Sequence, residues 1–443
     1  MKISILGCGL RTPLLLSGLL KTGRVPEEIA LYDCDPAQSE LMGLLGQASV
    51  PGAASVVRPV ATPQEAIDGS DFVICSIRPG GMDARARDER IVLDEGFAGQ
   101  ETVGPAGAAM AWRTIPAVLE YARMIEKLAP KAWLVNFTNP AGLVTQAVQE
   151  ESHVKTVGIC DTPAELFFRI GLSFGAALNE VNCDYFGLNH LGFVRRVEIG
   201  GEDRTEALLN DDGRLRSLYP ADLFPPDLIR QLGLIPTEYV FFYLRPSTAR
   251  ANQMKVGKTR GEELTHMNRN LYAELQVTIR DRGVPAALRQ YARYLNHRNA
   301  SYFHLEGNGI SAFAGEAPDW DPFSAVTGYH RIAVDTIQAL CNEAPSEIVL
   351  NVANEGALES LLPTDVVEIK CMVSQDRIRR PAPAPVPRQV SHLIEGMKTF
   401  DRTLLRALRE RDQRILQFAL SGHPLIGDWD RAGRLIKALS LSN

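Results

Sequence analysis

The chain has 443 residues, of which 45% are hydrophobic and 23% charged, enough apolar material for one large or two ordinary folded domains. Its 47 Lys and Arg against 53 Asp and Glu give a net charge of −6, the wrong sign for a protein that lives on phosphate backbones, so nucleic acid is not an expected partner. The apolar runs fall short of the roughly 20 residues that a membrane helix needs, and the start lacks a basic, then long apolar, secretory pattern; a cytoplasmic location is expected.

In chain order, short apolar runs at residues 3–6, 29–32, 72–76, 133–136 and 156–159 alternate with amphipathic stretches at 12–21, 36–45, 114–128 and 163–172. That rhythm predicts βαβ units and a doubly wound parallel sheet that binds a nucleotide. After about residue 190 the pattern changes. A strand at 193–198 precedes a mostly helical region from 205 to 340, strand-like runs at 347–352 and 366–371, a proline-rich connector at 380–387 and a final helical segment. The expected division is 1–190 for the nucleotide domain and 191–443 for a second, mostly helical α+β domain.

Gly7-Cys8-Gly9 follows the first strand and opens a helix, where backbone amides of Gly7, Gly9 and Leu10 can approach a pyrophosphate. Thr12 stands where a third glycine of the usual fingerprint would be. Asp33 ends the next apolar run, placed to accept from a ribose 2′-OH and to repel a 2′-phosphate, which favours NAD; the alternative is that Asp33 and Asp35 cap the helix that follows.

Seven cysteines, at positions 8, 34, 75, 160, 183, 341 and 371, show no paired spacing, so reduced thiols are expected. Cys160 ends a predicted parallel strand, at the rim where open α/β sheets bind ligands, and Asp161 precedes a helix. A small buried hydrophobe and an N-cap are the simpler readings of the two. His190 lies between glycines after another apolar run, and a thiolate with an imidazole would suit a divalent transition metal if both reach one pocket. Asn136 and Asn139 end a further strand at the same rim, where amides can orient ribose or sugar hydroxyls. Arg78 is either a bidentate ligand for a phosphate or hydroxyls or a solvated loop residue, and Tyr239 sits in an aromatic stretch that periodicity alone assigns to core.

Together, Gly7-Cys-Gly9, Ile77-Arg-Pro-Gly-Gly81, Gly99-Gln-Glu-Thr102, Asn136-Phe-Thr-Asn-Pro-Ala-Gly142, Gly158-Ile-Cys-Asp161, Gly187-Leu-Asn-His-Leu-Gly192 and Ile235-Pro-Thr-Glu-Tyr239 resemble glycoside hydrolase family 4 over nearly the whole chain. Thr248-Ala-Arg-Ala-Asn252 and Ile348-Val-Leu-Asn-Val-Ala-Asn354 extend the likeness. The resemblance implies a Rossmann-type, lactate/malate-dehydrogenase-like fold, NAD⁺, a divalent metal that is usually Mn²⁺, and glycoside cleavage by oxidation at sugar C3, elimination, water addition and re-reduction. On that likeness Cys160 and His190 would hold the metal, Tyr239 would take the C2 proton and Asp161 would be the acid. Arg78, Asn139 and Arg250 would hold a small glycoside.

Many members carry a serine-bearing loop where this chain has Gly-Leu-Arg11, so Arg11 is the candidate for a sugar 6-phosphate unless it is a surface residue. The motifs look most like 6-phospho-β-glucosidase members. The α-anomer, an unphosphorylated substrate, and a plain NAD-dependent sugar or hydroxy-acid dehydrogenase stay open, as does a sensor that binds NAD without turnover. A homodimer or homotetramer is expected by analogy.

Overall fold

The alternating apolar runs become strands because every second residue of each can be buried on either face of a sheet that is covered on both. The computed structural model describes residues 1–21, 24–50, 52, 56–307, 320–342 and 344–441. Within them the strands are β1 (Lys2–Leu6), β2 (Glu28–Tyr32), β3 (Val57–Pro59), β4 (Phe72–Cys75), β5 (Trp133–Asn136), β6 (Lys155–Gly158), β7 (Val181–Leu188), β8 (Leu191–Ile199), β9 (Glu202–Asp203), β10 (Ile235–Pro236), β11 (Ser346–Ala353), β12 (Val366–Ser374) and β13 (Arg377–Arg379).

The main sheet has nine strands in the order β13-β12-β11-β6-β5-β4-β1-β2-β3. Its β3-β2-β1-β4-β5-β6 part is parallel and has the doubly wound dinucleotide-binding order, reversing direction of growth between β1 and β4. Late in the chain, β11 returns antiparallel to β6, and β12 and β13 extend that edge. Ile3, Ile5, Ile29, Leu31, Ile74 and Val135 pack on one face of the sheet, and Leu6, Ala30, Val73, Cys75 and Leu134 on the other. The helix Thr12–Lys21 covers the first face, with Leu15, Leu16 and Leu19; the helices Gly104–Leu128 and Arg388–Glu410 cover the second.

The helix expected to begin at Thr114 begins ten residues earlier, at Gly104, and carries Pro116 inside it. Burial of the alanine-rich stretch 106–111 against the sheet outweighs the hydrogen bond that Pro116 cannot donate. A second sheet joins β7, β8 and β10, with β9 at the edge of β8. Among the described residues, no helix is long and apolar enough to cross a membrane.

Register sets the site. Leu6 pairs with Cys75, Cys75 with Asn136 and Asn136 with Gly158, so β1, β4, β5 and β6 end level. The segments beginning at Gly7, Ser76, Phe137 and Ile159 therefore leave the sheet side by side.

Candidate active site

At the crevice between β1 and β4, Gly7 has φ +91° and its N–H donates to the Tyr32 carbonyl at 2.9 Å. A Cβ there would stand 2.4 Å from the Ser76 carbonyl oxygen, so the loops after β1 and β4 approach closely because residue 7 has no side chain. Around Gly9, by contrast, a Cβ would meet nothing within 4 Å, leaving that backbone open to a ligand. The Asp33 carboxylate accepts from the Cys8 N–H at 2.7 Å and from the Asp35 N–H at 3.0 Å, while Asp35 caps the helix Pro36–Ala48. Asp35 is thus the helix cap, while Asp33 holds the glycine loop. Leu10 is buried, and its carbonyl accepts from the Tyr291 hydroxyl.

Asn136 is fully buried and its amide is used within its own turn. It donates to the carbonyls of Thr138 and Ala141 and to Thr145 Oγ1, and accepts from the Thr138 N–H at 3.0 Å. Its part is to shape the segment that carries Asn139, which lies part-buried beyond it. Arg78 pairs with Glu101 at 2.5 Å, and Arg85 binds the other Glu101 oxygen at 2.9 Å. Burial alone would raise the Glu101 carboxyl, but the two guanidiniums outweigh it and bring the group down to about 2.

Cys160 and His190 meet. The Cys160 Sγ lies 3.7 Å from His190 Nε2, within the span of two bonds of about 2.3 Å and 2.1 Å to one ion. His190 Nδ1 is 2.8 Å from Thr102 Oγ1, which fixes the ring and leaves Nε2 toward the sulfur. The imidazole stands at the two-residue turn between β7 and β8 with φ +63°, a conformation that costs about 1 kcal/mol or more. Next to it, Asn189 donates to Glu368 at 3.0 Å and accepts from the Ala141 N–H at 3.2 Å, tying the turn to the main sheet. Burial lowers the His190 pKa to about 4, so the ring is neutral and able to ligate near neutrality. Burial also pushes the Cys160 thiol well up, and a bound cation would be needed to hold it as thiolate. Among the described residues, no three His, Cys, Asp or Glu side chains gather as a complete metal cage. Two protein ligands leave positions for substrate oxygens and water, which fits a catalytic rather than a structural ion.

The Tyr239 ring stacks on His190 with centroids 3.9 Å apart and planes 14° apart. Asp161 occupies the N-cap position of the helix Thr162–Phe174, yet its carboxylate makes no capping bond; it faces Arg11 at 3.4 Å, and the Arg11 guanidinium lies over the Tyr329 ring. Four of the expected residues, Cys160, Asp161, His190 and Tyr239, thus converge with Arg11. Asp33 stands across the crevice beside the glycine loop. Arg250, on the helix Pro246–Val256, has its Nε buried without a hydrogen-bond partner among the described residues.

Five further residues join the site that the sequence reading does not single out, although Glu101 and Thr102 lie within Gly99-Gln-Glu-Thr102 and Glu238 within Ile235-Pro-Thr-Glu-Tyr239. Glu101, Arg85 and Thr102 set the charge and orientation around Arg78 and His190. Glu238 is buried beside Tyr239. Arg298, part-buried, is lowered to about 10 by burial and by Arg11, Arg260 and Arg85, and among the described residues no carboxylate pairs with it.

The sequence model for "Family 4 glycosyl hydrolase" matches residues 2–169, and that for the "Family 4 glycosyl hydrolase C-terminal domain" matches residues 185–426. The chain belongs to the family 4 glycosyl hydrolases. The 6-phospho-β-glucosidase of Escherichia coli (strain K12) is 28% identical, covering 98% of this chain and 93% of that protein. The 6-phospho-α-glucosidase of Leptotrichia buccalis is 25% identical, covering 89% and 86%. A crystal structure of the Thermotoga maritima 6-phospho-β-glucosidase with NAD and glucose-6-phosphate superposes with a TM-score of 0.81 at 27% identity, covering 99% of this chain and 97% of that one. A second structure of that enzyme, also in the tetragonal form, holds manganese, NAD⁺ and glucose-6-phosphate. A lactate dehydrogenase from a deep-sea metagenome, at TM-score 0.53 and 13% identity, shares the fold alone. This family 4 chain is therefore a glycosidase on a dehydrogenase-like scaffold.

Proposed function

We propose that the protein hydrolyses 6-phospho-β-glucosides with NAD⁺ and a divalent ion, Mn²⁺ by the chemistry of its relatives. The observation that carries this reading is the meeting of Cys160, His190 and Tyr239, from three distant segments, at the rim above β6. When bound, NAD⁺ supplies a hydride acceptor that later returns the hydride to C3, and the ion a Lewis acid for the C3 oxygen.

The chain's own residues do the rest. The glycine loop and Asp33 hold the dinucleotide, with the open backbone at Gly9 against the pyrophosphate. Cys160 and His190 hold the ion, and Thr102 keeps the imidazole aimed at it. Tyr239 takes the C2 proton, which the neighbouring ketone acidifies. Asp161 gives a proton to the departing C1 oxygen. It faces Arg11 at 3.4 Å, and a substrate phosphate drawn to Arg11 and Arg298 would compete with it for that guanidinium. Arg78, Asn139 and Arg250 are the remaining groups for sugar hydroxyls and phosphate. The β-anomer is favoured by identity: three relatives named as 6-phospho-β-glucosidases, one of them a probable one, are 27–28% identical over 96–100% of this chain, against 24–25% over 89–100% for three named α-glucosidases.

The test is turnover of p-nitrophenyl α- and β-glucosides, each with and without a 6-phosphate, in NAD⁺, Mn²⁺ and a thiol reductant. The phosphorylated β-substrate should be cleaved fastest. Faster cleavage of the α-anomer, or equal cleavage without the phosphate, would overturn the assignment.

A further inference from the structure

We propose that Tyr302 and Glu238 form a proton relay behind Tyr239, so that the proton taken from sugar C2 is held on Glu238 until it is returned. This rests on the reading of Tyr239 as the C2 base. Tyr302 follows the helix Val284–Ala300, and its hydroxyl donates to the Tyr239 oxygen at 3.1 Å. The same hydroxyl reaches Glu238 Oε1 at 3.2 Å, and Thr162 Oγ1 donates to that oxygen at 3.3 Å. Phe303 packs edge-on against both rings, with centroids 4.8 Å from Tyr302 and 5.5 Å from Tyr239, and fixes their separation.

Glu238 is 7% exposed and, among the described residues, forms no ion pair. A carboxylate buried without a cation is costly, and the cost falls when it takes a proton. Burial, with Glu165 and Asp161 nearby, raises Glu238 to about 7, so it can hold and release a proton near neutrality.

The balance is as follows. The C2–H bond breaks and its electron pair stays on the sugar. As Tyr239 gains that proton, its own hydroxyl proton passes to the Tyr302 oxygen and the Tyr302 proton passes to the Glu238 carboxylate. Rotation of the two hydroxyls allows this direction. No electrons change hands, and the reverse sequence restores the proton to C2. Glu238 and Tyr302 act through Tyr239 and are positioning residues.

The test compares Tyr302→Phe, Glu238→Gln and their double variant with the wild type in NAD⁺ and Mn²⁺, using p-nitrophenyl 6-phospho-β-glucoside carrying hydrogen or deuterium at C2 or C3. Each single variant should lower kcat by about 10- to 100-fold with KM within about threefold. The isotope effect at C2 should rise and that at C3 should not, and the double variant should be no slower than the worse single one. Unchanged kcat and C2 isotope effect, or a raised KM with kcat kept, would overturn the relay. If Tyr302→Phe fails to melt cooperatively, Glu238→Gln, which preserves shape, decides alone. Tyr239→Phe separates the two claims. Should it turn over with a normal C2 isotope effect, the base assignment fails, and the relay with it. An inactive Tyr239→Phe beside normal Tyr302→Phe and Glu238→Gln removes the relay only.

Discussion

The two walls of the crevice are built in different ways. The wall at β1 and β2 is made of backbone from one continuous stretch: Gly7 fits because it lacks a side chain, and Asp33 holds the loop through the Cys8 N–H. The wall above β6 is made of side chains from segments far apart in the chain, with Thr102, Cys160, His190, Tyr239 and Tyr302 in contact. The first wall should suffer from changes of shape at one residue, and the second from changes of chemistry at any of several.

Substitutions can break this contrast, and the largest effect belongs to the second wall. Cys160→Ser or His190→Ala should lower kcat by at least about 10³-fold and abolish Mn²⁺ binding in calorimetry. NAD⁺ affinity, measured by fluorescence titration, should stay within about threefold. Parallel loss of NAD⁺ binding would show that the walls are not separate.

At the first wall, Gly7→Ala adds a Cβ 2.4 Å from the Ser76 oxygen at φ +91°. It should cost about 2–3 kcal/mol, visible as a lower melting temperature, and weaken NAD⁺ by about tenfold or more while the apoprotein still binds Mn²⁺.

The charge of each wall can be read against pH. Glu238 titrates near 4.3 when unfolded and is raised to about 7 when folded, so its contribution to stability is full below about pH 4 and is lost as pH rises through 7. Glu238→Gln should flatten that decline, closing a gap of roughly 3 kcal/mol between pH 4 and pH 8 in denaturant melts. Glu101 behaves oppositely. It is held to about 2 by Arg78 and Arg85, so its contribution disappears only when pH falls through that value. The smallest effect is expected at Asp33: Asp33→Asn keeps an acceptor for the Cys8 N–H but loses the charge that repels a 2′-phosphate. The preference for NAD⁺ over NADP⁺ should narrow by about tenfold, read from the two dissociation constants.

Much of this was legible in the sequence where a motif directly follows a strand. Arg78, Asn139, Cys160 and Asp161 could be placed at the rim because β4, β5 and β6 end in register. Asn136 was placed there too, but its amide turns inward, since a buried amide at a strand end must find partners and its own turn offers them. Periodicity alone put Tyr239 in the core, and only its family motif suggested otherwise; its ring is indeed packed, against His190 and Phe303. Arg298 and Tyr302 carried no signal, because what marks them is proximity to residues 11, 238 and 239, which local spacing does not encode. The start of Gly104–Leu128 was hidden by Pro116, whose usual place in the first turn drew the boundary toward Thr114.

The central claim is that oxidation and re-reduction occur within one turnover. It is tested by following p-nitrophenol and NADH together, with p-nitrophenyl 6-phospho-β-glucoside in large excess over NAD⁺. Many equivalents of p-nitrophenol per NAD⁺, with no accumulation of NADH, are predicted. NADH rising in step with product, or equal turnover after NAD⁺ is removed, would contradict it.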